Sequence, residues 1–363
     1  MGGKVRQEQP SSAMETGTMN VEKVDALLRR HIYNLRYGHG LAARSIKSIS
    51  HEDDKILAWL TSWSAGLTDS EREAVIALTR GHTAGGVLRK AISDYVDAQV
   101  HRLNETYHEE LLLFIASTAA HTVRTLSTPE SPSVNVSARK VYRDPILGRV
   151  IPDEWKQIFA RWKAQVISEV VLALDERVDP GVKIKGTRTQ RYKDGWLYTR
   201  NNSIDRTIVT QTAGAAANTR TRIYSELFDN ELEDWLATLD HKTCIRCATA
   251  EEQGPYPVDA GPREPLHPYC RCLRVPEGLV TERPFVDDAR SVKDIPKSER
   301  PGKIGKTKLG YKEFFNRQNA EAKRDILGPA RHDLWKTGEY EITDYVNDVS
   351  LAIYNLEDLD RLH

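Results

Sequence analysis

Hydrophobic residues recur at helical spacing through residues 20–125. They lie mostly three or four positions apart, which places each set on one face of a helix. The four sets are Val21, Val24, Leu28, Ile32 and Leu35; Ile56, Leu57, Leu60 and Trp63; Val87, Leu88, Ala91, Ile92, Tyr95, Val96 and Val100; and Leu111, Leu112, Ile115, Ala119 and Val123. This pattern predicts a helical N-terminal domain of four or five helices. Residues 1–19 contain little that could be buried, so we expect them to be disordered.

Two segments interrupt the hydrophobic pattern and are predicted to be linkers. Residues 126–145 contain the run Ser127-Thr-Pro-Glu-Ser-Pro-Ser133, and residues 281–306 are charged and contain several Pro and Gly. Such segments carry few side chains that a core could bury. The remaining chain is then a middle module at residues 146–280 and a set of C-terminal helices at residues 307–363.

The middle module is predicted to combine helices with short β elements. One helix begins at Pro152, with acids in its first turn, and carries a long hydrophobic stripe. A second helix is capped by Asn202 or Ser203, and its small residues at positions 213–217 would let another backbone approach closely. The predicted fold class is therefore mainly α, or α+β with short β elements, in which an N-terminal helical unit precedes a helical module with a small Cys/His metal site.

Helical spacing fails between the two helices of this module, where basic residues are densest. Lys193-Asp-Gly-Trp196, with tyrosines on both sides, favours a β-hairpin with a glycine turn. Four cations of this stretch are candidate nucleic-acid contacts: Arg188, Arg191, Lys193 and Arg200. The stretch is either a solvated hairpin or a surface that meets the phosphates of a nucleic acid.

Composition limits the classes of function. Lys plus Arg and Asp plus Glu both number 52, so the formal net charge is zero, which argues against a protein that coats nucleic acid through its overall charge. No run of 18 apolar residues occurs, and the N-terminus is polar. We therefore expect a protein without a membrane span that is made and kept in the cytosol of its producer.

All four cysteines fall in one short window and have the spacing of metal ligands. Cys244 and Cys247 form a C-x-x-C pair, and after nineteen residues come His267, Cys270 and Cys272. Zn²⁺ binds four thiolate or imidazole ligands tetrahedrally, so a structural Zn²⁺ is the expected cofactor. Five candidates compete for four places. Either the C-x-x-C pair and the histidine act with one later cysteine, or all four cysteines act together.

Two other interpretations of the cysteines stay open at this stage. They are reduced thiols in a small loop-rich core, or a redox dithiol, although no βαβ pattern surrounds the C-x-x-C pair. A hydrolytic zinc site is disfavoured because H-E-x-x-H is missing, and the chain has no Walker, G-x-G-x-x-G or G-x-S-x-G motif. No catalytic residue is predicted, and the expectation is that the protein is not an enzyme.

The cysteine region resembles the signature of a known family. The matching runs are Leu239-Asp-His-Lys-Thr-Cys-Ile-Arg-Cys247 and Gly261-Pro-Arg-Glu-Pro-Leu-His-Pro-Tyr-Cys-Arg-Cys272. They are similar to the phage Mu F-like head morphogenesis family, the minor head proteins of tailed bacteriophages. The resemblance extends over residues 145–363, including the helix around residues 208–220 and the run Ile326-Leu-Gly-Pro-Ala-Arg331. Gln211 stands where an acid is expected, so that helix is given no catalytic role.

The resemblance implies a location and a set of partners. The chain would be a structural protein of the virion, made in the host bacterial cytoplasm and held inside the capsid near the portal vertex. Its partners would be the portal protein, capsid or scaffold proteins and packaged DNA, and its work would be head assembly, with a further part in DNA packaging or ejection. The alternative is a zinc-containing DNA-binding or DNA-processing protein that is delivered with the phage genome.

Overall fold

The computed structural model describes most of the chain. The described residues are 16–77, 81–228, 231–240, 242–258, 260–279, 283–285, 305–307 and 309–362. Most of the predicted disordered N-terminus and most of the predicted linker at residues 281–306 lie outside these ranges. The structure is 65% helix and 5% strand, which confirms the predicted mainly α fold class.

The elements follow one another as a long helical series, a small β unit and a second helical series. The helices of the first series are α1 (Thr16–Ile49), α2 (Asp53–Ala65), α3 (Asp69–Ile76), α4 (Thr83–Leu103), α5 (Glu109–Leu126), α6 (Ala138–Val141), α7 (Ile151–Asp175), α8 (Pro180–Lys185) and α9 (Trp196–Leu227). The later elements are β1 (Leu232–Leu236), α10 (Ile245–Glu252), β2 (Tyr256–Pro257), β3 (Leu273–Pro276), β4 (Arg283–Phe285), β5 (Gly305–Thr307), α11 (Tyr311–Arg317), α12 (Ala320–Leu327), α13 (Pro329–Lys336) and α14 (Leu356–Leu362).

One hydrophobic core joins the helices on both sides of the predicted linker at residues 126–145. Leu41 of α1 and Leu88 of α4 belong to the same buried cluster as Trp162 of α7 and Ile208 of α9. The segment does lack regular structure from residue 127 to 137, but it does not separate two cores. The first nine helices therefore form one body, which we call the helical body.

Small residues let other parts of the chain lie close to α9. In the run at residues 213–217 the space is filled by a side chain, since a Cβ atom added to Gly214 would lie 2.5 Å from Ile146 Cγ2, and α1 approaches α9 at its own glycine, Gly38. A Cβ atom added to Gly38 of α1 would lie 3.4 Å from Thr212 Cβ and from Val209 Cα of α9. Larger side chains at such a crossing would push the two backbones apart. Alanines 215 to 217 are buried on the same helix.

A second core surrounds the β unit and contains the cysteines. Strands β2, β1 and β3 form an antiparallel sheet in that order, with Trp235 of β1 opposite Arg274 of β3. Trp235, Cys247 and Cys270 share a buried cluster with Tyr311 and Phe314 of α11. The C-terminal helices thus pack around the cysteine region. At the two ends of the predicted linker at residues 281–306, β4 pairs with β5.

The predicted β-hairpin is wrong. Residues 187–195 form a series of turns, and α9 already begins at Trp196 rather than at Asn202 or Ser203. The Asp194 carboxylate accepts hydrogen bonds from the backbone N–H and the hydroxyl of Thr187, both at 2.8 Å, and closes the segment as a loop. Trp196 is buried in the helical body, which explains why the helix starts there.

Within the described residues, none of the helices combines the length and the apolar character that a membrane-spanning segment requires.

A buried ion pair connects the start of α2 to α9. Arg200 is fully buried, and its two terminal nitrogens donate to the Asp53 carboxylate at 2.7 and 2.8 Å. Asp53 also accepts hydrogen bonds from the Tyr95 hydroxyl at 2.6 Å and from Gln99 at 3.2 Å. Every polar group of this pair therefore has partners, as burial of charge demands.

We predict that Asp53→Ala lowers the free energy of unfolding by about 3–5 kcal/mol, because Arg200 would stay buried without its counter-ion. Urea denaturation followed by circular dichroism measures the loss. Asp94→Ala is the matched control, since Asp94 pairs with Lys90 on the surface of α4; its cost should not exceed about 0.5 kcal/mol. Equal losses in the two variants would contradict the assignment.

Candidate metal centre

The first pair of candidate ligands is placed by the start of helix α10. Cys244 is the residue that precedes α10, and Cys247 lies in its first turn, where its backbone N–H donates to the Cys244 carbonyl at 3.1 Å. Asp240 shapes the approach, because its carboxylate accepts a hydrogen bond from the backbone N–H of Lys242 at 2.9 Å. The C-x-x-C pair is therefore held on a tight turn that ends in a helix.

The second set of candidate ligands lies on the loop before β3. The backbone N–H of Cys270 donates to the His267 carbonyl at 3.1 Å, and Tyr269 has a positive φ of 60°, so the loop turns sharply between the two ligands. A positive φ is uncommon for a residue other than glycine and indicates a backbone that its surroundings fix. Cys272 follows at the entrance to β3.

The five side chains converge in two overlapping groups. Cys244, Cys247 and His267 form one group, and Cys247, Cys270 and Cys272 form the other; within each, the ligand atoms lie within 4.8 Å of one another. His267 Nε2 is 3.2 Å from both Cys244 Sγ and Cys247 Sγ, and Cys247 Sγ is 3.8 Å from Cys270 Sγ. All four cysteines are free thiols. The cluster could therefore hold a metal ion.

The side chains of the cluster differ in how readily they lose a proton. Hydrogen bonds from Cys247 and then from His267 lower the pKa of Cys244 to about 4, and similar bonds lower the pKa of Cys270. Burial alone would lower the pKa of His267, but hydrogen bonds to Cys244 and Cys270 raise it to about 10. The hydrogen bond with Cys244 raises the pKa of Cys247 in turn, and the pKa of Cys272 is also raised. The cluster therefore shares protons among its thiols, and a metal ion would release those protons on binding.

The histidine is oriented by a contact outside the cluster. Its Nδ1–H donates to the Pro268 carbonyl at 2.8 Å, which leaves Nε2 to face the sulfur atoms. Metal-binding histidines commonly use their second ring nitrogen in this way, because the contact fixes both tautomer and ring orientation.

Side chains of the helical body hold the ligand loop. His31 of α1 donates from Nε2 to the Arg271 carbonyl at 2.7 Å; burial, and then the charge of Arg220, lower the pKa of His31 to about 4 and keep it neutral. Arg220 of α9 donates to both carboxylate oxygens of Glu264 at 2.8 Å. The Arg271 guanidinium pairs in turn with Asp240, which connects the two halves of the cluster.

The spacing in the sequence identified the residues of the cluster but not the side chains that hold it in place. His31 is an example, because nothing in its own neighbourhood of the sequence points to a partner 240 positions away. Gln211, which replaces the expected acid, is buried and serves packing: its Oε1 accepts from Trp155 Nε1 at 3.0 Å and its Nε2 donates to Glu154 at 2.7 Å. A carboxylate could not supply the second bond.

The candidate nucleic-acid contacts divide into two groups. Arg188, Arg191 and Lys193 are exposed on the loop at residues 186–195. Arg200 is paired with Asp53 inside the helical body and cannot reach a phosphate, so its assignment as a nucleic-acid contact is wrong.

Comparison with known proteins adds no relative, since no family model, no curated protein and no solved structure matches the chain.

We predict that Cys247→Ser, or removal of metal with a chelator, loosens residues 240–275 without unfolding the helical body. Limited proteolysis should give a new cut inside this window and a surviving fragment of residues 20–230, because none of the cysteines belongs to the core of the helical body. Restoring the metal to the chelated wild-type protein should abolish the cut. An unchanged digest, or collapse of the whole chain, would contradict a local metal centre.

Proposed function

We propose that the protein is a structural minor head protein of a tailed bacteriophage, held inside the capsid near the portal, which acts in head assembly. The observation that carries the proposal is the set of residues that resembles the family signature. These residues contact one another: Asp240 pairs with Arg271, and His267 contacts Cys244 and Cys247. A signature whose members form one physical unit is less readily explained by chance similarity than one whose members are scattered.

We propose Zn²⁺ as the metal of this unit. Thiolate and imidazole ligands together suit zinc, and a tetrahedral ion with Zn–S bonds of about 2.3 Å requires sulfur atoms about 3.8 Å apart. The Cys247 and Cys270 sulfur atoms are 3.8 Å apart. With four protein ligands the site would have no open position for substrate, so the zinc would stabilise structure rather than carry out a reaction.

The zinc would fix a loop that has little hydrophobic surface of its own. Between Cys247 and His267 the sizeable apolar residues are Tyr256, Val258 and Leu266. Burial of so few side chains cannot offset the entropy of ordering some twenty residues, so the ion must contribute. The resulting rigid unit would present a defined surface to portal, capsid or scaffold chains.

The proposal predicts that the chain is part of purified phage particles. Mass spectrometry of virions should detect it together with the portal protein, and particles assembled without it should lose infectivity. Supplying the wild-type chain in trans should restore infectivity, whereas the Cys247→Ser variant should restore it less well. Finding the chain only in the lysate, outside the particles, would contradict a structural role.

A DNA-binding role is the second candidate, and the loop at residues 186–195 favours it. We call this segment the basic loop. Its two ends meet, because a Cβ atom added to Gly195 would lie 2.4 Å from the Gly186 nitrogen. Arg188, Arg191 and Lys193 are exposed on it, and Tyr192 between them is 44% exposed. Exposed cations beside an exposed aromatic ring suit phosphates and unstacked bases.

We predict that changing Arg188, Arg191 and Lys193 together to Ser weakens DNA binding and lowers the salt dependence of log K by about three units, about one for each lost phosphate contact. Fluorescence anisotropy at a series of salt concentrations measures both quantities. The matched control changes Arg89, Arg139 and Lys140, which are exposed on α4 and α6. An equal loss in the control would mean that overall charge, and not the basic loop, accounts for binding.

A further inference from the structure

Five donor side chains surround a centre that offers four places, so one of them must stay outside the coordination shell. We infer that the ligands are Cys244, Cys247, His267 and Cys270, and that Cys272 is a non-ligand thiol packed beside the ion. This inference rests on the proposed zinc site and assigns its ligand set.

His267 determines the choice. Its ring is oriented by the Pro268 carbonyl so that Nε2 faces the sulfur atoms, which is the arrangement of a ligand and not of a bystander. Nε2 lies 3.2 Å from Cys244 Sγ and from Cys247 Sγ, and Cys247 Sγ lies 3.8 Å from Cys270 Sγ. An ion bound to Nε2 would therefore meet these three sulfur atoms first.

Cys272 has a different set of neighbours. Its sulfur lies within 4.8 Å of the sulfur atoms of Cys247 and Cys270. The contacts of 3.2 Å between His267 and the C-x-x-C sulfur atoms, and of 3.8 Å between Cys247 and Cys270, link the other four side chains to one another. Cys272 directly precedes β3, so the strand holds Cys272 close to the centre without requiring it to bind.

In the alternative ligand set Cys272 replaces Cys244. This set would leave unused the cysteine that the turn before α10 already places at the centre. Cys244 directly precedes α10, and its sulfur lies 3.2 Å from His267 Nε2, where a C-x-x-C ligand is needed. Cys244 is also the one cysteine of the four that is partly exposed, which gives the ion a path of entry.

The set of four cysteines is disfavoured by charge. Four thiolates around Zn²⁺ carry a net charge of −2, whereas three thiolates and a neutral imidazole carry −1. The cations that face the cluster are already paired, Arg271 with Asp240 and Arg220 with Glu264, and so offer little to offset a second buried negative charge.

Cobalt substitution of the full-length protein tests the assignment. Co²⁺ in a tetrahedral thiolate site gives visible d–d bands and near-ultraviolet charge-transfer bands whose intensity rises with the number of bound thiolates. Cys272→Ser and Cys272→Ala should keep the wild-type spectrum, one metal per chain and the wild-type Zn²⁺ affinity. Cys244→Ser, the same atomic change at the other disputed position, should lose charge-transfer intensity and weaken Zn²⁺ binding by about 100-fold or more, beyond the ~10–100-fold cost of an outer-shell change.

The outcomes distinguish an incorrect ligand set from an incorrect zinc site. The ligand set is overturned if the spectrum changes in both Cys272 variants but not in Cys244→Ser. It is also overturned if all three variants behave equally. Neither result contradicts the zinc site itself. Failure of the wild-type protein to bind either metal overturns the zinc site itself. Circular dichroism of each variant verifies that the helical body is folded, so that lost binding reports on ligands.

Discussion

The arrangement of the whole C-terminal half depends on how the ligand loop before β3 is held. This loop receives hydrogen bonds from His31 and Arg220, which belong to the first and the last long helix of the helical body. Its own cysteines belong to the core that packs α11 and the following segments. A metal ion at this point would therefore stabilise three parts of the chain at once, since each of them contacts the same few residues.

Buried ion pairs give this arrangement its specificity. Arg200–Asp53 fixes α9 against α2, Arg220–Glu264 fixes α9 against the ligand loop, and Arg274–Glu233 connects two strands at 2.6 Å. Hydrophobic contacts would tolerate small shifts between these elements, whereas a buried charge that loses its partner is costly. Several relative positions of these elements would bury a similar apolar area. The ion pairs favour one of these positions, although each pair costs free energy of desolvation.

Local patterns in the sequence predicted what depends on local interactions. Helical spacing identified the helices of residues 20–125, and the spacing of Cys244, Cys247, His267, Cys270 and Cys272 identified the cluster. The β-hairpin prediction is wrong because Asp194 closes the turn around Gly195 and the chain continues directly into a helix. That helix begins at Trp196, whose side chain is buried by residues that are distant in the sequence. The assignment of Arg200 as a nucleic-acid contact is wrong for the same reason. Its partner Asp53 lies 147 positions away, so the sequence shows only a cation in a basic stretch.

The zero net charge of the chain conceals an uneven distribution, and burial explains part of it. Three buried arginines form ion pairs in the interior and so contribute nothing to the electric field outside the protein: Arg200, Arg220 and Arg274. The basic loop, in contrast, has three exposed cations, Arg188, Arg191 and Lys193, and one exposed acid, Asp194. Since exposed charges act over about one Debye length, roughly 8 Å at physiological salt, a polyanion would sense this local excess and not the balanced total. The composition therefore argues against a protein that coats DNA through its overall charge, but it is compatible with one that contacts DNA at a single point.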